Sequence, residues 1–247
     1  MILFTKLGRS STLFEGLNPS ISAAALVPAF HCAGTVGAVV EGVRPHVEMV
    51  LVVDDGSGDG TAEEAFRAGA QVLVRKVNGG KGTAVRQALS LLLPCGFTHV
   101  AFVDGDGQHD PADLPALLAA AGQGADFVIG SRLRDRGEMP AKNFIANATG
   151  DRILSRMTGL EVEDGQSGYR VIASELLRPL QLTSRRYAVE NEILIKASHR
   201  VRNLAIVPIR SIYVEGGDGR RHYRPFRDTW VTSWLSVHFK TTGNDRS

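Results

Sequence analysis

The sequence contains little cysteine and no long apolar run. Its two cysteines, Cys32 and Cys95, lie far apart and show no metal-ligand spacing, so we expect reduced structural thiols and a cytoplasmic setting. No apolar run approaches the ~20 residues that a membrane-spanning helix needs. The first part of the chain also lacks the continuous apolar stretch of a secretory signal.

The sequence also lacks a strong excess of one charge. Its formal net charge is only +2, which argues against nucleic acid as a partner of the whole protein. The charge is uneven, however, because arginines are concentrated between residues 200 and 227, where they would suit phosphate or an anionic membrane surface. A hydrophobic fraction of 43% over 247 residues is enough for one large α/β domain with a real core.

Two familiar nucleotide-binding motifs are absent. There is no Gly-x-x-x-x-Gly-Lys-Ser/Thr loop, and no Gly-x-Gly-x-x-Gly follows a predicted strand, which argues against a nicotinamide dehydrogenase. The segment 78–83 instead places Lys81 among glycines at the start of a predicted helix. The N-terminus of a helix is a favourable binding position for phosphate.

Apolar periodicity predicts strands alternating with helices. We expect strands at 21–27, 48–53, 71–74, 100–103, 126–130 and 204–212, and helices at 33–43, 61–68, 82–93, 111–121, 141–157, 188–199 and 226–239. This alternation predicts a mostly parallel sheet with helices on both faces. Thr61 and Glu64 have the spacing of a capping box.

Three regions follow from this pattern. Residues 1–20 form an N-terminal arm, either loose or an extra strand, and residues 21–215 form the α/β domain. Residues 216–247 comprise a basic loop and an amphipathic helix packed on or beside that domain. Trp230 and Trp234 lie along one side of this helix, which could rest in a membrane interface or dock on the sheet.

The most informative stretch follows the predicted strand 100–103. Asp104, Asp106 and Gln108 offer only oxygen ligands, which Mg²⁺ and Mn²⁺ prefer and zinc does not. Ligands of open α/β sheets bind beyond the carboxyl ends of the strands, where these residues stand. An isolated pair of aspartates would more often be a simple acidic turn.

A second acidic stretch follows the predicted strand 48–53. Asp54 and Asp55 could accept hydrogen bonds from a base or a ribose, and the glycines that follow allow close backbone approach. The alternative is a turn that leads into the next helix.

Together these motifs identify a family. The segments that carry the likeness occur in the expected order: Asp54-Asp55-Gly56-Ser57 with Asp59-Gly60-Thr61, Gly80-Lys81-Gly82, Asp104-Gly105-Asp106-Gly107-Gln108-His109-Asp110-Pro111, Gly130-Ser131-Arg132, and Gly165-Gln166-Ser167-Gly168-Tyr169-Arg170. The chain resembles family-2 glycosyltransferases of the GT-A fold from about residue 21 to residue 212. The likeness is greatest to the branch of dolichol-phosphate mannose synthase and bacterial polyprenyl-phosphate glycosyltransferases.

The resemblance implies a donor site, a metal site and an acceptor site. The implied donor-binding residues are Pro28, Ala29, Asp54, Asp55, Ser57, Lys81, Asp104 and Arg220. The implied ligands of Mg²⁺ or Mn²⁺ are Asp104, Asp106 and Gln108. The implied catalytic residues are Asp106, Arg132, Ser167 and Arg170, of which the last three match positions associated with the acceptor phosphate.

One departure concerns the nucleotide base. Members of the family usually continue the first strand as Pro-x-Tyr-Asn-Glu, whereas here Pro28 is followed by Ala29, Phe30, His31 and Cys32. Because position 32 lacks the usual glutamate, the sequence does not tell whether the donor is GDP-linked or UDP-linked.

The implied reaction is a metal-dependent, inverting transfer of a hexose from a nucleotide sugar to a polyprenyl (dolichyl or undecaprenyl) phosphate. A phosphate acceptor is already ionised and needs no strong base, whereas a glycan hydroxyl in cell-envelope polysaccharide synthesis would need one, with Asp164 and Glu190 as candidates. A third alternative is a non-catalytic nucleotide-sugar-binding protein. We expect a cytoplasmic protein with peripheral contact to the inner face of the membrane.

Overall fold

The computed structural model describes residues 2–3, 21–132, 141–185, 188–210 and 212, with side chains of the helix at 141–158 described from residue 149 onward. In this part of the chain, strands form a single sheet in the order β1-β4-β3-β2-β5-β7-β6-β8. The strands are β1 (Ile2–Leu3), β2 (Ala23–Ala29), β3 (Met49–Asp54), β4 (Gln71–Val74), β5 (His99–Phe102), β6 (Phe127–Ser131), β7 (Arg170–Ala173) and β8 (Leu204–Pro208).

The prediction of a mostly parallel sheet is confirmed. Strand β2 pairs in parallel with β3 and β5, β3 with β4, and β6 with β8. Strand β7 runs antiparallel between β5 and β6, and sequence patterning missed it because its four residues begin with a charged one, Arg170. Strand β1 pairs antiparallel with β4, so Ile2–Leu3 follows the extra-strand alternative for the N-terminal arm.

Helices cover both faces of the sheet, as predicted. They are α1 (Val36–Val43), α2 (Thr61–Arg67), α3 (Lys81–Leu92), α4 (Leu114–Gly122), α5 (Ala141–Thr158), α6 (Ser174–Leu177) and α7 (Val189–Ala197). Successive side chains of a strand point to opposite faces. Accordingly, Ala25 and Val27 of β2 pack with α1, α2 and α4, while Leu26 packs with α3 and α7 on the other side.

The predicted capping box at α2 is wrong. Gly60 is the N-cap of α2 and makes no side-chain cap hydrogen bond. The Glu64 carboxylate accepts hydrogen bonds from the backbone N–H groups of Gly34 (2.6 Å) and Gly37 (2.9 Å) instead. Glu64 therefore places its negative charge at the amino-terminal end of α1, where the helix dipole favours an anion.

The C-terminal part of the sequence is described only as far as residue 212. Strand β8 ends at Pro208, earlier than the predicted boundary of 212. The predicted helix at 226–239 and the basic loop before it lie outside the described residues.

Candidate active site

The loop after β5 carries the proposed metal ligands. Asp104 is partly buried, whereas Asp106 and Gln108 are exposed at the end of the sheet. The backbone N–H of Gln108 donates to Asp106 Oδ1 (3.1 Å), and the hydroxyl of Thr35 donates to the Gly105 carbonyl (2.8 Å). The loop is therefore held both by its own turn and by the start of α1.

Gly105 allows this loop to lie directly on β2. A Cβ atom at this position would come within 3.1 Å of Ala29 Cβ and 3.3 Å of the Pro28 carbonyl oxygen. The Gly105 N–H donates to that same carbonyl. The structure thus brings Pro28 and Ala29 against the proposed metal loop, and their contact with the donor stays a prediction.

Asp104 is held by two groups that carry or can carry positive charge. Lys81 Nζ lies 2.6 Å from Asp104 Oδ1, and His109 Nε2 lies 3.8 Å from Asp104 Oδ2. Burial alone would raise the pKa of Asp104, but the charge of Lys81 and the nearby imidazole of His109 outweigh burial and hold the pKa below its usual range. Asp104 is therefore an anion in the folded protein.

Lys81 lies between two carboxylates. Besides Asp104, its Nζ contacts Glu190 Oε1 at 2.5 Å, from the first turn of α7. Burial alone would lower the pKa of Lys81, but the two carboxylates outweigh it and raise the pKa. The sequence predicted Lys81 as a donor-phosphate ligand, whereas the structure shows its ammonium engaged by protein carboxylates.

The acidic turn after β3 is used to hold loops. The buried Asp54 carboxylate accepts hydrogen bonds from the backbone and hydroxyl of Ser57. The buried Asp55 carboxylate accepts from Arg75 and from the N–H groups of Gly79 and Gly80, the latter at 2.7 Å. Binding of a base or ribose by these aspartates stays a prediction, and in the described geometry they hold the loops that follow β3 and β4.

Arg132 follows β6 and forms a two-pronged ion pair with Asp164. Its Nε and Nη2 each lie 2.8 Å from an Asp164 oxygen, and its backbone N–H adds a third bond at 3.0 Å. Strands β5 and β6 run in the same direction, so Arg132 and the loop of Asp106 stand at the same edge of the sheet. Contact of Arg132 with an acceptor phosphate stays a prediction.

Arg170 lies beneath the site. It is 1% exposed, and its guanidinium donates to three backbone carbonyls, those of Gly165, Ser167 and Glu190. Burial lowers the pKa of Arg170 to about 10, still far above neutrality. Ser167 is also fully buried, and its hydroxyl accepts from the Tyr169 N–H (3.3 Å). In this geometry both residues organise the loop, and neither is exposed to a phosphate.

The donor set fits Mg²⁺ or Mn²⁺. Asp104 Oδ2, Asp106 and Gln108 provide hard oxygen atoms on one loop, and such ions accept phosphate oxygens in their remaining positions. Within the described ranges, no three His, Cys, Asp or Glu side chains are grouped as a metal site. A metal held here by the protein would therefore rest on two carboxylates and one amide.

Sequence reasoning missed two residues that shape this region. Arg210 contacts Asp110 (2.9 Å) and Asp113 (3.5 Å), and the Ile212 N–H donates to the Gln108 carbonyl (3.1 Å). The segment after β8 therefore lies against the proposed metal loop. Arg220, predicted to reach the donor, lies outside the described residues.

In the described part of the chain, no helix combines the length and the apolar character needed to cross a bilayer.

This strand order, with an acidic loop beyond β5, is the arrangement of the GT-A fold. The solved structure of glucosyl-3-phosphoglycerate synthase from Mycobacterium tuberculosis, in complex with Mn²⁺, UDP-glucose and phosphoglyceric acid, shares this fold. The TM-score is 0.69 at 23% identity, over 90% of this chain and 79% of that chain.

Sequence comparison gives the family. The model of glycosyl transferase family 2 matches residues 24–178. The glycosyltransferase AglJ of Haloferax volcanii is 33% identical over 207 residues, covering 82% of this chain and 67% of that protein. The undecaprenyl-phosphate mannosyltransferase of Micrococcus luteus is 32% identical over 182 residues, covering 69% of this chain and 74% of that protein. The chain belongs to glycosyl transferase family 2, and the resemblance found in its motifs is confirmed.

Proposed function

We propose that this enzyme transfers a hexose from a GDP- or UDP-linked sugar to a polyprenyl phosphate, with inversion at the anomeric carbon and with Mg²⁺ or Mn²⁺ as cofactor. The observation that carries the proposal is the placement of Asp106 and Arg132 at the same edge of the sheet. An oxygen-rich metal loop suits a sugar diphosphate, and a guanidinium suits a phosphate acceptor. The polyprenyl-phosphate relative and the Mn²⁺–UDP-glucose complex of the solved neighbour support it.

The site residues have separate roles in this reaction. Asp104, Asp106 and Gln108 would hold the ion, which when bound neutralises the departing nucleoside diphosphate. Arg132 would orient the acceptor phosphate so that one of its oxygens faces the anomeric carbon. That phosphate is ionised at neutral pH, so the protein need not remove a proton.

The site is less suited to a glycan hydroxyl acceptor, because both candidate bases are already paired with cationic side chains. Both carboxylate oxygens of Asp164, one candidate base, are engaged by Arg132. The other candidate, Glu190, is paired with Lys81 through Oε1. Because the polyprenyl phosphate resides in a bilayer, we propose peripheral contact of a cytoplasmic protein with the membrane surface.

The direct test is a transfer assay. The protein would be incubated with Mn²⁺, radiolabelled GDP- and UDP-sugars and a short-chain polyprenyl phosphate, and label would be followed into the organic phase. Transfer by the wild type and none by Asp106→Ala would support the proposal and name the donor. Metal-dependent nucleotide binding without transfer would reject the lipid acceptor, and binding without turnover on any acceptor would indicate the non-catalytic alternative.

A further inference from the structure

The ammonium of Lys81 is shared between the metal loop and α7. Its Nζ lies 2.6 Å from Asp104 Oδ1 and 2.5 Å from Glu190 Oε1. Lys81 is the first residue of α3, and Glu190 is the second of α7, so the amino-terminal ends of the two helices meet at this pair. Buried charges are retained at low cost only when they are paired.

Glu190 has no other described role that explains its burial. It is 8% exposed, and its Oε2 atom is buried with no hydrogen-bond partner among the described residues. A carboxylate that served only to stabilise the fold would be expected to have both oxygens bonded. The Glu190 carboxylate makes its close ion pair with Lys81, and its charge also acts on the buried guanidinium of Arg170.

Gly168 lets Asp104 and Lys81 approach each other. A Cβ atom at position 168 would come within 2.5 Å of Asp104 Oδ2 and 3.0 Å of Lys81 Nζ. The backbone of Gly168 does not have the left-handed conformation that would itself demand glycine. Position 168 therefore excludes a larger residue because there is no room for a side chain beside Asp104 and Lys81.

We propose that Lys81 and Glu190 are positioning residues that orient Asp104 and set the charge of the metal site, and that Lys81 is not a ligand of the donor phosphate. This inference rests on the proposed function for the identity of the metal loop. Because the ammonium engages Asp104 Oδ1, a cation would bind Asp104 through Oδ2, the oxygen that His109 Nε2 faces at 3.8 Å. Glu190 offsets the repulsion that the ammonium would otherwise exert on that cation.

The test measures binding of Mn²⁺ by electron paramagnetic resonance, first without and then with saturating GDP or UDP. Lys81→Met should strengthen Mn²⁺ binding by about three- to tenfold, because a repelling charge is lost and Asp104 Oδ1 is freed. Glu190→Gln should weaken it by a similar factor, and the double variant should return close to the wild-type affinity. Turnover should fall in both single variants.

Two further variants make the result specific. Lys76→Met removes an exposed lysine from the loop before α3 and should leave Mn²⁺ affinity and turnover unchanged. Gly168→Ala adds only a methyl group and should weaken Mn²⁺ binding by displacing Asp104. Because it changes no charge, it separates geometry from electrostatics.

The outcomes distinguish this inference from the proposed function. Unchanged Mn²⁺ affinity in Lys81→Met and Glu190→Gln would overturn the inference, as would a loss of diphosphate affinity confined to Lys81→Met. Charge-dependent Mn²⁺ binding without transfer to polyprenyl phosphate would support the inference and reject the lipid acceptor. Absence of Mn²⁺ binding by the wild type in both arms would overturn both.

Discussion

The Arg132 guanidinium binds the Asp164 carboxylate with two parallel hydrogen bonds, each 2.8 Å long. Asp164 holds a left-handed backbone conformation (φ 52°) that non-glycine residues rarely adopt. Its N–H and that of Gly165 donate to Asp151 on α5. The ion pair and the helix together keep the loop that precedes β7 in this strained shape.

Asp164→Asn should destabilise the protein by about 3 kcal/mol, since it removes the negative charge that holds the half-buried guanidinium through two hydrogen bonds. Asparagine tolerates the left-handed conformation, so the loss would report the ion pair and not the backbone. Urea unfolding measures the change, with Glu161→Gln on the same loop as the exposed control. A difference below about 0.5 kcal/mol between the two variants would contradict this assignment.

Asp55→Asn should lower the free energy of unfolding by about 2 kcal/mol. The amide has one acceptor oxygen in place of two, so it cannot satisfy Arg75 and the N–H groups of Gly79 and Gly80 together. Thermal unfolding checks the stability, and nucleotide titration of the folded variant checks the predicted donor contact. Wild-type stability with weakened nucleotide binding would show that Asp55 serves the ligand and not the loop.

Asp151 should make stability depend on pH between about 4 and 6. Burial raises the pKa of Asp151 to about 6, so the folded state holds this proton more tightly than the unfolded chain, where the pKa is about 3.9. Its contribution is fully present below pH 4 and is lost as pH rises to 6, a change of about 3 kcal/mol.

The measurement is the free energy of unfolding across this pH range for the wild type and Asp151→Asn. Asparagine cannot ionise, so the free energy of unfolding of the variant should increase relative to that of the wild type as pH rises. The hydrogen bond lost in the variant would add only a constant difference. Parallel curves for the two proteins would show that Asp151 does not titrate in this window.

The two cysteines should react very differently with iodoacetamide. Cys32 is buried, and burial raises the pKa of its thiol to about 12, so the thiolate is scarce at pH 8. Cys95 is exposed. Mass spectrometry of the native protein should find one adduct, on Cys95, and a second only after denaturation. Rapid labelling of Cys32 in the native protein would mean that the loop after β2 opens.

The sequence predicted most of the sheet because strand and helix patterns are local. Strand β2 and helix α3 were found close to their observed bounds from apolar periodicity alone. Strand β7 was missed because it is short and opens with Arg170, whose burial depends in part on the Glu190 carbonyl, contributed by the separate helix α7.

The motifs located the site but did not give the partners of its side chains. The spacing of Asp104, Asp106 and Gln108 predicted a loop at the end of a strand, and the structure has it there. Nothing local to Lys81 signals that its counter-ion is Glu190, because α3 and α7 meet only in the fold. For the same reason the sequence predicted Glu64 as a cap of its own helix, α2, whereas its carboxylate binds the start of α1.

The Ile212 N–H donates a hydrogen bond to the Gln108 carbonyl, and Arg210 contacts Asp110, so the segment after β8 is fastened to the metal loop. The hydroxyl of Thr35, at the start of α1, donates to the Gly105 carbonyl of the same loop. Two elements that lie far apart in the sequence thus share control of where Asp106 stands, and a change in either would alter the metal site.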